Sequence, residues 1–555
     1  METANPKVVL LVMDGIGLRD SEVGNAVKLA RTPNLIRLWA EGVGTTLGAS
    51  GAYVGMDNGE QGNSEVGHLA LGTGQILAQD ARRVDEWLGL LDKPSELPNS
   101  PAWQEIVARL TTNDVSATAN STATATGGVS PTPRTLHVSG IFADGRVHSD
   151  VKHFYAILDQ AAKSGIPRLR LHLLTDGKDV PPQSALEYVD KVEAVFADYN
   201  RQGFDYAIAD GGGREVIICD RYYSNIGWVE KGYNLWVHGQ NSPDEPARAF
   251  KSVREAIETY RAEDPEQQDQ FMPTFVIGET DAQVAAGRIR DGDALVFFNF
   301  RADRAIEISE VFDSPKGWYD RFDISDRPDI LFVGLMHYDP DRNIPSRFFM
   351  QKPEYHNVLA EILERAGKKS FAVSESWKFG HVTFYWDGLK SAPYFGETVV
   401  DIPATETPFT DRPWMKSAEI TDELIKALDG GQFDFLRANY PNGDMVGHSS
   451  ELDPTIIAVE AVDLAVGRVM AACKNSGAIL LVTADHGKAE ELVYPDGTPM
   501  APHTLNRVPF TVWTYPGGAR WSQDETCGLA NVAATVASLL GVQPNPSWQK
   551  SLIKG

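Results

Sequence analysis

Two continuous apolar runs stand near opposite ends of the chain. Val8-Val9-Leu10-Leu11-Val12-Met13 ends at Asp14-Gly15, and Ala478-Ile479-Leu480-Leu481-Val482-Thr483 ends at Ala484-Asp485-His486-Gly487. Runs of this length without polar alternation predict strands buried on both faces of a sheet. Each leads into an acidic residue, and in open α/β sheets ligands collect beyond the carboxyl ends of the strands. The first and last parts of the chain are therefore expected to share one domain, with a second inserted between them. The middle repeats the pattern. Leu136–Ile141 leads to Asp144 and His148, Leu169–Leu174 leads to Asp176-Gly177-Lys178-Asp179, and Ala294–Phe298 leads to Arg301 and Arg304. Helical patterns at Val151–Ala162 and Ser184–Ala197 intervene, which predicts βαβ units. Thr111–Gly128 is rich in Ser, Thr and Ala and has no periodicity. It reads as an exposed loop or insertion.

A length of 555 residues calls for two or more domains, and 42% hydrophobic content is enough for sizeable cores. No apolar run approaches the ~20 residues of a membrane span. Met1–Lys7 runs straight into the first apolar stretch without a basic region and small-residue cleavage site, so no secretory signal is expected. Three cysteines in so long a chain argue for a reducing compartment, and a cytoplasmic location is expected. The net charge of −25 disfavours nucleic acid or an anionic membrane as partner. An anionic substrate would need locally clustered Arg and Lys to overcome that field.

Candidate chemistry centres on Gly62-Asn63-Ser64-Glu65-Val66-Gly67-His68. A serine flanked by glycines is open from both sides and reads as a nucleophile on a tight turn. It lacks the G-x-S-x-G pattern of the hydrolase elbow, so it needs another activator. Asp14, Asp444, His448, Asp485, His486 and His503 all stand in short Gly-containing motifs or beside Pro and Gly. They are suitable ligand types for two divalent metals. Asp444 and His448 are four apart and share a side of a helical turn. Asp485 and His486 are adjacent and need a sharp turn, which Gly487 permits. His503-Thr504 follows a Pro- and Gly-containing stretch and could fold back over the site. A lone Asp at a strand end is more often a cap, and a lone His more often structural. The whole set together with Ser64 points to a metal-assisted nucleophile.

G-N-S-E-V-G-H, T-A-D-H-G and N-G-D-M-V-G-H resemble the cofactor-independent (2,3-bisphosphoglycerate-independent) phosphoglycerate mutases of the alkaline phosphatase superfamily. The resemblance runs from Val8 to about Leu540. The spacing of Arg214 and Arg221, and Lys378-Phe379-Gly380-His381-Val382-Thr383, are most similar to the longer plant and trypanosomatid branch. The resemblance implies an α/β fold in two domains. An alkaline-phosphatase-like α/β sandwich (1–80 and 330–555) carries an inserted α/β substrate-binding domain (81–329), with hinges near 80 and 330. It implies one metal on Asp444, His448 and His503 and another on Asp14, Ser64, Asp485 and His486. The metals are usually manganese, with cobalt or magnesium in some members. Ser64 would carry the phosphoryl group between 3-phosphoglycerate and 2-phosphoglycerate, with Lys378 neutralising the phosphoserine. His148, Lys178, Arg214, Arg221, Arg301 and Arg304 would hold the small phosphorylated hydroxy acid, and Asp179 would shuttle protons. Arg matches phosphate and carboxylate in bidentate fashion. Arg301 and Arg304, three apart, would share one face of a helical turn. Members are mostly monomers, and the resemblance carries that over.

The chain departs from the family at four places, one of them the unusual Asp57-Asn58-Gly59-Glu60-Gln61 before Ser64. D-G-R-D reads Asp176-Gly177-Lys178-Asp179, D-G-G-V-H-S reads D-G-R-V-H-S with Arg146, and T-A-D-H-G is followed by Lys488 instead of Asn. Two readings follow. One is tolerated variation, with Arg146 taking over charge lost at Lys178. The other is a paralogue whose substrate resembles phosphoglycerate, such as a phosphonate. A phosphomonoesterase of the same superfamily is the rival enzyme class, and a non-catalytic descendant is the rival outside it. The latter predicts loss of Ser64 or of metal ligands, and none is lost.

Overall fold

The computed structural model describes residues 6–91, 93–111, 133–221, 223–315, 317–404, 407–514, 520–521 and 526–554. Beyond Thr111, the stretch read as a loop at 111–128 lies outside the described residues. The chain divides into two compact units, Met1–Gln79 with Glu354–Gly555, and Asp80–Pro353. The return crossing therefore falls at Pro353, not near 330. Leu331–Met336 is a buried strand paired in parallel with Ala294–Phe297, and Phe348–Met350 extends the same sheet. A boundary at 330 would strip both strands from the middle unit.

The first unit is built on a seven-stranded sheet in the order Glu397–Ile402, Ser370–Glu375, Phe435–Tyr440, Val8–Met13, Ile479–Thr483, Val508–Trp513, Val43–Leu47. The first five are parallel, and the last two add antiparallel. Val8–Met13 is central and buried at every position, as its unbroken apolar run requires. The 25-residue helix Leu452–Ser476 buries Ala458, Val459, Val462, Val466 and Val469, a spacing that keeps one face on the core. Its Asp463 also accepts from the backbone N–H groups of Asn34 and Leu35, capping the helix Pro33–Glu41 that has no cap of its own.

The middle unit holds an eight-stranded sheet in the order Phe348–Met350, Leu331–Met336, Ala294–Phe297, Leu136–Ile141, Arg168–Thr175, Asp205–Gly213, Phe275–Ile277, Arg248–Phe250. One antiparallel step, between Asp205–Gly213 and Phe275–Ile277, interrupts otherwise parallel pairing. The helices Val151–Lys163 and Ala185–Arg201 form where the 3.6-residue apolar pattern predicts them. Among the described residues, no helix is long and apolar enough to cross a membrane.

Candidate active site

Strand ends of the first unit deliver the candidate ligands to one place. Asp14 follows Val8–Met13, Lys378 follows Ser370–Glu375, Asp444 follows Phe435–Tyr440 and Asp485-His486 follow Ile479–Thr483. Ser64 opens the helix Ser64–Thr73 instead of topping a tight turn. Asn63 before it is extended and caps the helix by accepting from the Val66 N–H at 3.0 Å. Two glycines permit the convergence. Gly15 has φ +74°, and a Cβ there would stand 2.6 Å from the Asp444 nitrogen. A Cβ on Gly67 would stand 2.7 Å from the Asp485 carbonyl oxygen, so the serine helix could not approach that strand end.

Ser64 Oγ lies 2.5 Å from Lys378 Nζ, 2.9 Å from His486 Nε2 and 3.3 Å from Asp14 Oδ1. Lys378 also donates to Asp444 Oδ2 at 2.7 Å and Asp14 Oδ1 at 3.1 Å. Asp444 and His448 share the turn expected of their spacing, with Oδ1 and Nε2 3.2 Å apart. His503 folds back as expected, its Nε2 3.1 Å from both Asp444 Oδ1 and His448 Nε2. Its Nδ1 donates to the Gly62 carbonyl at 2.8 Å. In the neutral ring the Nε2 lone pair is therefore turned toward Asp444 and His448.

Three carboxylates, Asp14, Asp444 and Asp485, are buried around the Lys378 ammonium. Burial alone would raise the Asp444 carboxyl, but the Lys378 ammonium above all, with the neighbouring imidazoles, holds it well below the ordinary range. Burial likewise opposes the Lys378 ammonium, yet Asp14, Asp444 and Asp485 raise it above its usual value. Burial would lower His486 too, but Asp485, Asp14 and Asp444 push it up to about 9. Asp444 Oδ1 and Asp485 Oδ2 are buried with no hydrogen-bond partner. Such orphaned acceptors cost stability unless a cation meets them. Ligand atoms of Asp444, His448 and His503 lie within 4.8 Å of one another, as do those of Asp14, Asp444 and His486. Mixed imidazole and carboxylate donors with unspent lone pairs fit divalent metal ions.

In the middle unit the expected substrate residues also follow strand ends. Arg214 is buried and grips Asp176 Oδ1 at 2.7 Å together with Asp179 Oδ2. Burial opposes its charge, and those two carboxylates more than restore it. Lys178 reaches Glu215 Oε1 at 3.3 Å, and Arg304 donates to the same oxygen at 2.7 Å and to the Cys219 carbonyl. His148 Nδ1 and Arg221 Nη1 stand 3.2 and 3.5 Å from the two oxygens of Asp303. Burial would raise the Asp303 carboxyl, but His148, Arg301 and Arg221 hold it at about 2. The shared helical face expected of Arg301 and Arg304 is not formed. Arg301 has extended backbone (φ −85°, ψ 132°) ahead of the short Ala302–Arg304 turn, and it is exposed while Arg304 is buried.

The metalloenzyme superfamily model matches residues 6–544. A probable 2,3-bisphosphoglycerate-independent phosphoglycerate mutase of Leptospira interrogans is 38% identical over 99% of this chain and 97% of its own length. The enzyme of that name from Trypanosoma brucei brucei is 37% identical over the same shares. A crystal structure of Leishmania mexicana phosphoglycerate mutase at low cobalt concentration superposes with a TM-score of 0.74 at 34% identity, covering 100% of this chain and 98% of that one. The chain belongs to the 2,3-bisphosphoglycerate-independent phosphoglycerate mutase family of metalloenzymes.

Within that mutase family, the departures at Arg146 and Lys488 have local explanations. Arg146 does not take over the charge of Lys178. Its guanidinium bonds Asp85 Oδ2 and Asp150 Oδ2, both at 3.0 Å, from a left-handed backbone (φ +56°). Lys488 is buried and donates to the Met500 carbonyl at 2.5 Å and the Pro502 carbonyl at 3.3 Å. It thereby pins the segment that delivers His503. Sequence reasoning missed two buried neighbours of the site, His68 and Asn439. His68 stands in the serine heptad, one helical turn after Ser64, and that spacing was a usable signal. Asn439 offered only a polar residue inside an otherwise buried strand.

Proposed function

We propose that this chain interconverts 3-phosphoglycerate and 2-phosphoglycerate without 2,3-bisphosphoglycerate, carrying the phosphoryl group on Ser64. The observation behind this reading is the Ser64 hydroxyl, held at a helix start within 2.5–3.3 Å of an ammonium, an imidazole and a carboxylate. The names of the similar Leptospira and Trypanosoma proteins support it. Ser64, ionised beside Lys378, attacks phosphorus through Oγ, the bond to the C3 oxygen of the substrate breaks, and that oxygen takes the proton that Asp179 brings over from the C2 hydroxyl. Lys378 balances charge on the serine oxygen and then on the phosphoserine. The amino end of the Ser64–Thr73 helix adds favourable dipole there. The glycerate is held by His148, Lys178, Arg221, Arg301 and Arg304 while its C2 hydroxyl takes up the phosphoryl group. Asp179, oriented by Arg214, moves the proton between the two hydroxyls. Two divalent ions, manganese first with cobalt or magnesium as substitutes, would be held by Asp444, His448 and His503 and by Asp14, Ser64, Asp485 and His486. Bound there, they supply Lewis-acid stabilisation of phosphoryl charge. In this reading the first unit carries the phosphoryl chemistry, the middle unit carries the glycerate, and the protein works as a cytoplasmic monomer. Three buried cysteines fit that compartment.

An enolase-coupled assay on 3-phosphoglycerate with manganese, repeated after EDTA, tests the reading. Turnover that chelation abolishes is the expected result. Inorganic phosphate as the main product would establish a phosphomonoesterase instead. No turnover in folded, metal-loaded protein would move the search to phosphonates or other phosphorylated hydroxy acids.

A further inference from the structure

We infer that His68 and Asn439 are positioning residues that hold the Ser64 hydroxyl and the Asp14 carboxylate in register. His68 Nδ1 lies 2.9 Å from the Ser64 carbonyl and 3.2 Å from Asp485 Oδ2. Both neighbours only accept, so Nδ1 carries the hydrogen and Nε2 a lone pair. Asn439 Nδ2 stands 3.1 Å from that Nε2 and 2.7 Å from Asp14 Oδ2. Its two amide hydrogens serve those two acceptors. Turning the amide over would aim its oxygen at a carboxylate, and changing the imidazole tautomer would leave two N–H groups facing.

The row Ser64, His68, Asn439, Asp14 thus has one hydrogen-bond arrangement. It closes on the nucleophile, because Asp14 Oδ1 is 3.3 Å from Ser64 Oγ. Each member comes from a different rigid element or a fixed point along one. His68 is a turn along the serine helix, and Asn439 pairs with Val12 in the register of the sheet. Asn439 Oδ1 is buried without a partner. A residue kept only for packing would carry no such orphan, so the amide is explained by what its N–H groups hold. The same geometry excludes His68 as a ligand through Nδ1, although its atoms cluster with Asp14 and Asp485. Nδ1 already donates to a carbonyl.

The test uses the full chain, stripped of metal and titrated with Mn²⁺ by calorimetry, for Asn439→Ala, His68→Ala and the double variant. One of the Mn²⁺ affinities is expected to fall about 10–100-fold. In the mutase assay kcat falls by a similar factor with KM within about twofold, and that arm alone rests on the proposed activity. The double variant should be no worse than the poorer single one, because either change breaks the row. Leu71→Ala, buried in the same helix, is the control for lost packing and should lower thermal stability without moving Mn²⁺ affinity. A folded Asn439→Ala protein that binds Mn²⁺ as tightly as the parent would overturn the inference. So would losses that multiply in the double variant. Failure of the mutase reading would leave the metal titration interpretable.

Discussion

Two clusters in this chain hold the same ingredients and differ in what is left over. In the first unit, Asp14, Asp444 and Asp485 are buried with His448, His486 and His503 around them. In the middle unit, Asp85 and Asp150 are buried with His153, and their ligand atoms converge just as tightly. Asp85 Oδ2 there accepts from Arg146 at 3.0 Å and Lys152 at 2.9 Å, and Oδ1 from His153 at 2.8 Å. Asp150 Oδ2 shares the same two cations. Two carboxylates meet two full positive charges, and nothing remains to attract an ion. Around Ser64, three carboxylates meet one ammonium and the raised imidazole of His486, which leaves negative charge over, and two carboxylate oxygens have no hydrogen bond. Ligand type and proximity do not distinguish a metal centre from a buried ion-pair network. Residual charge and unspent lone pairs do.

Mirrored substitutions break the comparison most sharply. Asp444→Asn should lower metal affinity by more than the about 100-fold that losing an outer partner of a ligand costs, and activity should fall with it. Atomic absorption of the purified protein and the coupled assay read both, while thermal stability of the metal-free protein should hold. Asp85→Asn should do the reverse. It leaves Arg146, Lys152 and His153 short of a partner and should cost about 3–5 kcal/mol of stability with metal content unchanged. A pH series sharpens this. Burial raises the Asp85 carboxyl, but His153, Lys152 and Arg146 hold it at about 2, below the ordinary 3.8. Its contribution is therefore fully present above about pH 4 and lost as pH falls toward 2. Denaturant melts across that window should be steeper in pH for the parent than for Asp85→Asn. The smallest effect is expected for Arg146→Gly, the residue the family pattern carries. It leaves Asp85 and Asp150 to Lys152 and His153, so stability should fall by about 1–3 kcal/mol, less than for Asp85→Asn and partly offset by relief of the left-handed backbone. KM for 3-phosphoglycerate should stay within about twofold, and a large rise would return Arg146 to the substrate face.

Much of this was legible along the chain, for identifiable reasons. Val8–Met13 and Ile479–Thr483 read as central strands because burial on both faces leaves no polar alternation. The ligands at their ends followed from where parallel strands stop. The crossing at Pro353 was not legible, since Leu331–Met336 looks the same whichever sheet it joins. The disposition of Arg301 and Arg304 was missed because a spacing of three describes a helix only if the first residue is helical. The partners of Arg146 depend on Asp85, 61 residues away in sequence. Pairings at such separation carry no local signal.

The sheet order also sets a schedule for the newborn polypeptide. Val8–Met13 is made first, yet its two neighbours, Phe435–Tyr440 and Ile479–Thr483, arrive more than four hundred residues later. At about 5–20 residues per second that is a wait of roughly 20–95 s on the ribosome. Asp80–Pro353 is contiguous and has all of its strands available well before then. Throughout the interval an uncharged six-residue β-segment has neither of its partners, a natural target for holding chaperones and for mispairing between nascent chains.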